Sequence, residues 1–108
     1  MGKTKIAALV VLIVLLGALG IEAGARAYRV WQCNRYANIV LEMAQERDRG
    51  VSSDAMRARL KATEASQTKP NPEIHDLMEN TITGLYEHPE LNPEQSAGIA
   101  LDGCLEHP

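Results

Sequence analysis

Residues 33–50 read CNRYANIVLEMAQERDRG, and this stretch decides the fold because its apolar residues recur every three or four positions. Such a period places them on one face of a helix, which we expect to span about residues 30–49. Gly50 then suits the left-handed backbone conformation that commonly follows a helix end. The expected inner face consists of Cys33, Tyr36, Ala37, Val40, Met43 and Ala44.

The second helix is expected to be the weakest element. Ser52 or Ser53 is a suitable N-cap, since a serine hydroxyl accepts a hydrogen bond from the free N–H groups of the first turn. The apolar face of this helix is small, with Met56 and Leu60 as its main members. A polar loop is predicted at about residues 63–70, which lack large apolar side chains and end in proline.

The starts of two further helices are marked by the triplet Asn-Pro-Glu, at residues 71–73 and again at 92–94. The triplet supplies an N-cap side chain, a proline at the first helical position and a carboxylate in the first turn. We therefore expect a third helix over about residues 72–87 and a fourth over about residues 93–104. The inward residues would be Ile74, Leu77, Met78, Ile82, Leu85 and Tyr86 in the third helix, and Ala97, Ala100, Leu101 and Cys104 in the fourth.

Two cysteines, Cys33 and Cys104, allow one intramolecular disulfide. It would close a loop of about 70 residues and stabilise the fold by roughly 4 kcal/mol in the chain-entropy model. In an up-down-up-down bundle, the start of the first helix and the end of the fourth lie at the same end, where these sulfur atoms can meet. The expected fold is therefore all-α: a small four-helix (up-down-up-down) domain after an N-terminal signal or anchor helix, with one disulfide. A compact pair of helical hairpins is the alternative.

The N-terminus has the pattern of an export signal. Lys3 and Lys5 precede residues 6–21, which carry no charged or polar side chain. Small residues at positions 23, 25 and 27 suit signal peptidase, so residues 1–27 are expected to be a signal peptide and residues 28–108 an exported helical domain, periplasmic or secreted. The alternative is an uncleaved anchor, which makes a single-pass membrane protein with its C-terminus outside, since about 20 apolar residues span a bilayer.

Charge is unevenly distributed along the chain. The formal net charge is −3, and no Lys or Arg follows Lys69. The acidic C-terminal half is expected to pair with the basic middle segment, or else to dock a basic protein partner. The members of this candidate acidic interaction surface are Glu73, Asp76, Glu79, Glu87, Glu90 and Glu94. Nucleic acid is disfavoured as a partner, because phosphate requires a positively charged surface.

No group of residues resembles a catalytic or metal site. His75, His88 and His107 do not pair at helical spacing, and two of them precede prolines. No serine lies in a nucleophile-elbow sequence. We therefore expect no catalytic residue, no cofactor-binding residue and no metal ligand, so that the protein is not an enzyme.

One pattern supports a comparison with other proteins. It comprises Cys33, the helix end Arg47-Asp48-x-Gly50-Val51-Ser52, the segment Tyr86-x-x-Pro89-x-Leu91-x-Pro93 and the closing Cys104. The chain resembles, over about 70 residues, short exported helical proteins of bacteria that carry two framing cysteines and mostly have no assigned activity. The resemblance supports export and the disulfide, and it implies no substrate, cofactor or site residue.

The sequence therefore predicts an exported small helical protein that acts by binding, most simply to another protein of the cell envelope. The alternative is a membrane-tethered component of an envelope or prophage assembly, which would touch the membrane only through residues 6–21. A small enzyme is the third class considered, and it would require a deep pocket that gathers a histidine with two carboxylates.

Overall fold

Four helices make up the protein in the computed structural model, which describes the backbone of residues 2–107 and the side chains of residues 24–107. The helices are α1 (Gly2–Asp48), α2 (Ser53–Ala65), α3 (Pro72–Glu87) and α4 (Pro93–Glu106). Residues 2–107 contain no strand. The prediction of an all-α fold with four helices is therefore confirmed, as is the single disulfide between Cys33 and Cys104.

The first helix is longer than predicted, because α1 does not begin near Val30 but runs without a break from Gly2. Residues 22–30, EAGARAYRV, contain no proline, so nothing interrupts the helical hydrogen bonds. At 1.5 Å per residue, its 47 residues extend about 70 Å. Most of the predicted signal peptide or anchor, residues 1–27, lies outside the part of the chain whose side chains are described. Among the described residues, no helix has the length and apolarity needed to cross a membrane.

The end of α1 is fixed by Gly50, as predicted. Its φ angle is +100°, a conformation that side chains with a Cβ rarely adopt. The Gly50 N–H donates to the Arg47 carbonyl over 3.0 Å, and the Val51 N–H donates to the Glu46 carbonyl over 3.1 Å. This pair of bonds is the Schellman motif, which turns the chain sharply towards α2.

The predicted N-caps are present at all three following helices. Ser52, rather than Ser53, caps α2 by accepting a hydrogen bond from the Ala55 N–H over 3.1 Å. Asn71 caps α3. Asn92 caps α4 and exchanges hydrogen bonds with Gln95 in a capping box. Each cap satisfies N–H groups that the helix itself leaves free, so these starts are set by local sequence.

The directions of the helices follow from contacts at both ends of α1. The disulfide joins the first part of α1 to the end of α4, and the Arg47 side chain near the end of α1 reaches the Leu91 carbonyl just before α4. α1 and α4 are therefore antiparallel. α3 runs in the same direction as α1, because Tyr36 bonds Thr81 and Arg47 bonds the Leu85 carbonyl.

α2 joins the fold mainly through α3. Arg57 pairs with Glu79 at 2.9 Å, and Glu64 bonds His75 at 2.6 Å, so the two helices are antiparallel. An ion pair between Arg59 and Glu46 links α2 to the end of α1. Of these contacts, the Arg57–Glu79 pair joins a cation of the middle segment to a carboxylate of α3.

The core lies between the C-terminal parts of α1 and α3. Val40, Ala44 and Leu85 form a buried cluster there. Four partly buried residues pack against it: Tyr36, Met43, Tyr86 and Ala100. On α3 the predicted inner face is confirmed at Ile82 and Leu85 and is wrong at Ile74 and Leu77, which are 54% and 46% exposed. The physical reason is the position of these residues along α3. The first two turns of α3 precede Thr81, where Tyr36 holds α3 against α1, and they contact α2 instead.

Candidate docking groove

An open groove runs between α3 and α4, with α1 as its floor. α3 and α4 both pack on α1 but hardly touch each other within the described residues, and a space of about 840 Å³ remains between them. The floor is built by Trp31, Arg35 and Ile39 of α1, and the walls by Ile74 and Leu77 of α3 and by Ile99 and Gly103 of α4. This space is called the groove below.

Large apolar side chains line the groove and remain accessible. Trp31 is 54% exposed and Ile99 is 60% exposed, in addition to Ile74 and Leu77. Single exposed apolar residues are ordinary on proteins, whereas a contiguous group of them is typical of a binding surface. The volume also falls within the roughly 300–1,000 Å³ of known ligand pockets.

Aromatic and cationic groups occupy one end of the groove. The rings of Tyr28 and Trp31 stack with their centroids 6.0 Å apart. The Arg35 guanidinium lies 5.6 Å from the centroid of the Trp31 ring, within reach of a cation–π attraction. These contacts place the Trp31 ring beside Tyr28 and Arg35 at this end of the groove.

A smaller cavity of about 220 Å³ lies beside the groove, between α1, α3 and α4, and is lined among others by Tyr36, Thr81, Ser96 and Ile99. The Tyr36 hydroxyl donates to Thr81 Oγ1 over 2.6 Å, since the Thr81 hydroxyl itself donates to the Leu77 carbonyl. Ser96 Oγ is buried and has no hydrogen-bond partner within the described part of the chain.

Arg47 ties α1 to three residues that line the smaller cavity. Its side chain is only 5% exposed and donates to the Leu85 and Leu91 carbonyls, each over 2.8 Å. A further bond reaches the His88 carbonyl, and Asp48 pairs with the guanidinium at 2.9 Å. Arg47 therefore holds the end of α3, the turn after it and the start of α4 on one side chain. The sequence pattern contained Arg47 only as part of the helix end Arg47-Asp48-x-Gly50-Val51-Ser52 and did not predict these bonds.

The six residues of the predicted acidic surface fall into two groups. Glu73, Asp76 and Glu79 lie in the first half of α3, and Glu79 is paired with Arg57. Glu87, Glu90 and Glu94 lie at the other end of α3, in the following turn and at the start of α4. The 14 positions between Glu73 and Glu87 correspond to about 20 Å of helix. None of the six lines the groove, although Glu73 and Asp76 precede the wall residues Ile74 and Leu77 in sequence.

Three titratable groups are affected by their surroundings. The hydrogen bond that the Glu64 carboxylate accepts from the His75 ring raises the pKa of His75, and the charge of nearby carboxylates adds to this. Burial raises the pKa of Tyr86, whose hydroxyl donates to the Val51 carbonyl. A hydrogen bond from its own backbone N–H, followed by one with His88, lowers the pKa of Glu90. None of the three lines the groove, whereas His107 does.

Comparisons with known proteins leave the site to be interpreted from its own geometry. No protein-family model, curated protein or solved structure matches the chain. The sequence did contain a signal for the groove: Ile39 and Ile99 are large apolar residues that fall outside the predicted inner faces. Large apolar residues outside the predicted inner faces of α1 and α4 indicate a second apolar surface.

Proposed function

We propose that the protein is an exported binding protein whose groove accepts an amphipathic helix from a protein partner in the cell envelope. The observation that carries this proposal is the groove itself, in which two helices flank a third and leave an exposed apolar channel between them. A guest helix lying over α1 would complete a four-helix arrangement. Helix-in-groove recognition uses apolar anchors at positions i, i+3, i+4 and i+7 of the guest.

The charge beside the groove favours a guest helix with basic flanks. Glu73 and Asp76 precede the wall residues Ile74 and Leu77 in sequence without lining the groove themselves, and neither takes part in an ion pair within the described residues. No Lys or Arg occurs beyond Lys69, so α3 and α4 carry only negative or neutral side chains apart from their histidines. Charges of opposite sign would align the guest and exclude acidic competitors.

The disulfide supports the compartment assigned in this proposal. Disulfides persist in non-reducing surroundings, which include the periplasm and the extracellular space. We propose that residues 1–27 direct export as a signal peptide and that an up-down-up-down domain remains. In the alternative, the same segment is retained as an anchor and the groove serves an envelope or prophage assembly at the membrane. Intact mass of the protein from the envelope fraction decides between them: a chain that begins at Tyr28 shows cleavage, and the full-length mass shows an anchor.

Site-specific photo-crosslinking in producing cells tests the groove directly. A photoreactive amino acid would replace Ile74 or Ile99 in the groove and, as a matched control, the exposed Ala62 on α2. We expect adducts from the two groove positions that are absent at Ala62, and the cross-linked peptide should carry an apolar helical stripe with basic flanks. Adducts of low mass would assign the groove to a small apolar ligand and overturn the protein partner. Equal labelling at all three positions would also overturn it.

A further inference from the structure

We propose that residues 24–32 of α1 are a contact surface for a lipid membrane with anionic headgroups, so that one end of the groove stands at the membrane surface. These residues are called the tip below. The inference goes beyond the proposed function, because it assigns a second partner and does not require that a guest helix occupy the groove.

The tip projects beyond the rest of the domain. All nine of its residues are exposed. Nine residues make about two and a half turns of helix, so every side of α1 is accessible there. The next residue, Cys33, is only 1% exposed and is bonded to Cys104 near the end of α4. The packed part of the domain therefore begins at the disulfide, and the tip extends about 14 Å beyond it.

Apolar side chains are distributed around the tip. Tyr28 is 60% exposed, Val30 is 45% exposed and Trp31 is 54% exposed. Successive helical residues are turned by about 100°, so Val30 lies on a different side of α1 from Tyr28 and Trp31. Tyr28 and Trp31 border the end of the groove, whereas Val30 does not line it. A helix in the groove would leave Val30 in water, whereas a membrane surface that the tip enters end-on surrounds all three side chains.

The chemistry of the tip is that of a membrane–water interface. Tryptophan and tyrosine are enriched at that level, because their rings are apolar and their polar atoms can remain wet. Arg26 and Arg29 add positive charge, and no acidic residue occurs between Glu22 and Glu42. An arginine can lay its apolar stem along lipid while its guanidinium reaches the headgroups. Aromatic rings combined with cations therefore fit a surface of anionic lipid.

The position of the tip in the chain indicates the same partner. Residues 6–21 carry no charged or polar side chain, and α1 continues from them into the tip without a break. In a chain that retains this segment, the segment lies in the bilayer and the tip follows it at the surface. In a chain that is cleaved after residue 27, residues 28–32 remain and make the contact alone. The inference therefore applies to both forms of the protein.

Depth-dependent quenching of fluorescence tests the contact in either form. Trp31 is the only tryptophan, so its emission reports on the tip. The protein recovered from the envelope fraction is combined with phosphatidylcholine vesicles that contain about one quarter phosphatidylglycerol, with bromine on the lipids either near the headgroups or near the bilayer centre. We expect stronger quenching by the bromine near the headgroups. The absence of quenching, or stronger quenching from the bilayer centre, overturns the inference.

A matched pair of substitutions separates the tip from the groove. Val30→Asp places a carboxylate on the tip outside the groove, and Ile99→Asp places one on the exposed groove wall. Val30→Asp should lower the lipid affinity of the cleaved form by about tenfold or more, because it removes an apolar contact and repels anionic headgroups. In the full-length form it should reduce the quenching of Trp31 by bromine near the headgroups. Ile99→Asp should change neither quantity, and equal effects of the two substitutions overturn the inference.

Vesicles of phosphatidylcholine alone test the charge of the partner. The lipid affinity of the cleaved form should fall by about fivefold or more without phosphatidylglycerol, as expected for one basic residue, Arg29, near an anionic surface. About 0.5 M salt should have a similar effect, because it screens the charges. Equal affinity for both kinds of vesicle overturns the assignment of anionic headgroups.

The photo-crosslinks distinguish a failure of this inference from a failure of the proposed function. Val30→Asp should retain the cross-link formed at position 74 in the groove while it weakens the membrane contact. A captured helix without quenching by the bromine near the headgroups refutes the membrane contact and leaves the helix-binding function standing. Quenching at the headgroup level without a captured helix refutes the function and supports the membrane contact.

Discussion

The two ends of the domain are held together by different means. At the end where α1 stops, Val40, Ala44 and Leu85 form a core, and Arg47 ties three carbonyls from α3, the turn and α4. At the other end, α1 and α4 are joined by the disulfide, while the apolar residues of α1 and α3 face an open groove. At the groove end, the disulfide holds α1 and α4 together where side-chain packing is incomplete. Apolar side chains beside the disulfide therefore remain accessible for binding.

The largest effect is expected from removing the disulfide. The double substitution Cys33→Ala and Cys104→Ala opens a loop of 71 residues and should lower the free energy of unfolding by about 4 kcal/mol in the chain-entropy model. Chemical denaturation of the unaltered protein, oxidised and reduced, provides the measurement and the control. A loss below about 1 kcal/mol would mean that packing also holds the groove end.

A matched pair of leucines on α3 tests the comparison within a single helix. Leu85 is 6% exposed in the core, and Leu77 is 46% exposed in the groove wall. Leu85→Ala should destabilise the fold by about 2–5 kcal/mol, because it removes buried methyl groups and leaves a cavity. Leu77→Ala should change stability by only about 0.5 kcal/mol, as expected for an exposed position, and should instead weaken partner binding. Urea denaturation of both variants measures the loss of unfolding free energy. Equal losses would contradict the distinction between a packed core end and an open groove end.

The same pair of leucines shows how far sequence reasoning reaches. Helix starts were predictable because capping is local: Asn71 and Asn92 satisfy N–H groups within three residues of themselves. The inner face of α1 was predictable from its period. The exposure of Ile74 and Leu77 was not, because α3 has one apolar stripe and only tertiary contacts decide which of its turns meet α1. The groove is the gap left where that stripe has no partner, and the local sequence marks it only through Ile39 and Ile99, which fall outside the predicted inner faces.

Removal of the Arg47 side chain should have the next largest effect. Its role could not be predicted from the local sequence either, because the carbonyls that it bonds lie 38 to 44 residues away. Arg47→Leu keeps the apolar part of the side chain and deletes the donors to the Leu85, His88 and Leu91 carbonyls. Hydrogen bonds from a charged donor contribute about 1.5–3 kcal/mol, so a loss of about 2 kcal/mol is expected in urea denaturation. Arg49→Leu, two residues later and exposed, is the control and should be nearly neutral. Equal stability of the two variants would show that Arg47 does not hold the helices together at the end where α1 stops.

Two glycines should respond to alanine with opposite signs. Gly50 has a φ of +100°, so Gly50→Ala imposes a strained backbone and should cost about 1 kcal/mol at the end of α1. Gly98 lies inside α4, and a methyl group added there meets nothing within 4 Å. Gly98→Ala should therefore stabilise the fold by about 0.5–1 kcal/mol through helix propensity. Thermal unfolding of both variants checks the signs, and a destabilised Gly98→Ala would show that α4 packs more closely than the structure indicates.

The smallest effect is a pH dependence where α2 meets the first turns of α3. The hydrogen bond with Glu64 raises the pKa of His75, so the folded state binds the proton more tightly than the unfolded chain does. The stabilisation is fully present below the ordinary histidine pKa of about 6.5 and is lost as pH rises through the higher folded value. NMR titration of the His75 ring should show this raised pKa, and Glu64→Gln should return it towards the ordinary value. Because His75 and Glu64 link α2 to the part of α3 that forms the groove wall, a pKa unchanged by Glu64→Gln would mean that the wall is positioned by Arg57 and Glu79 alone.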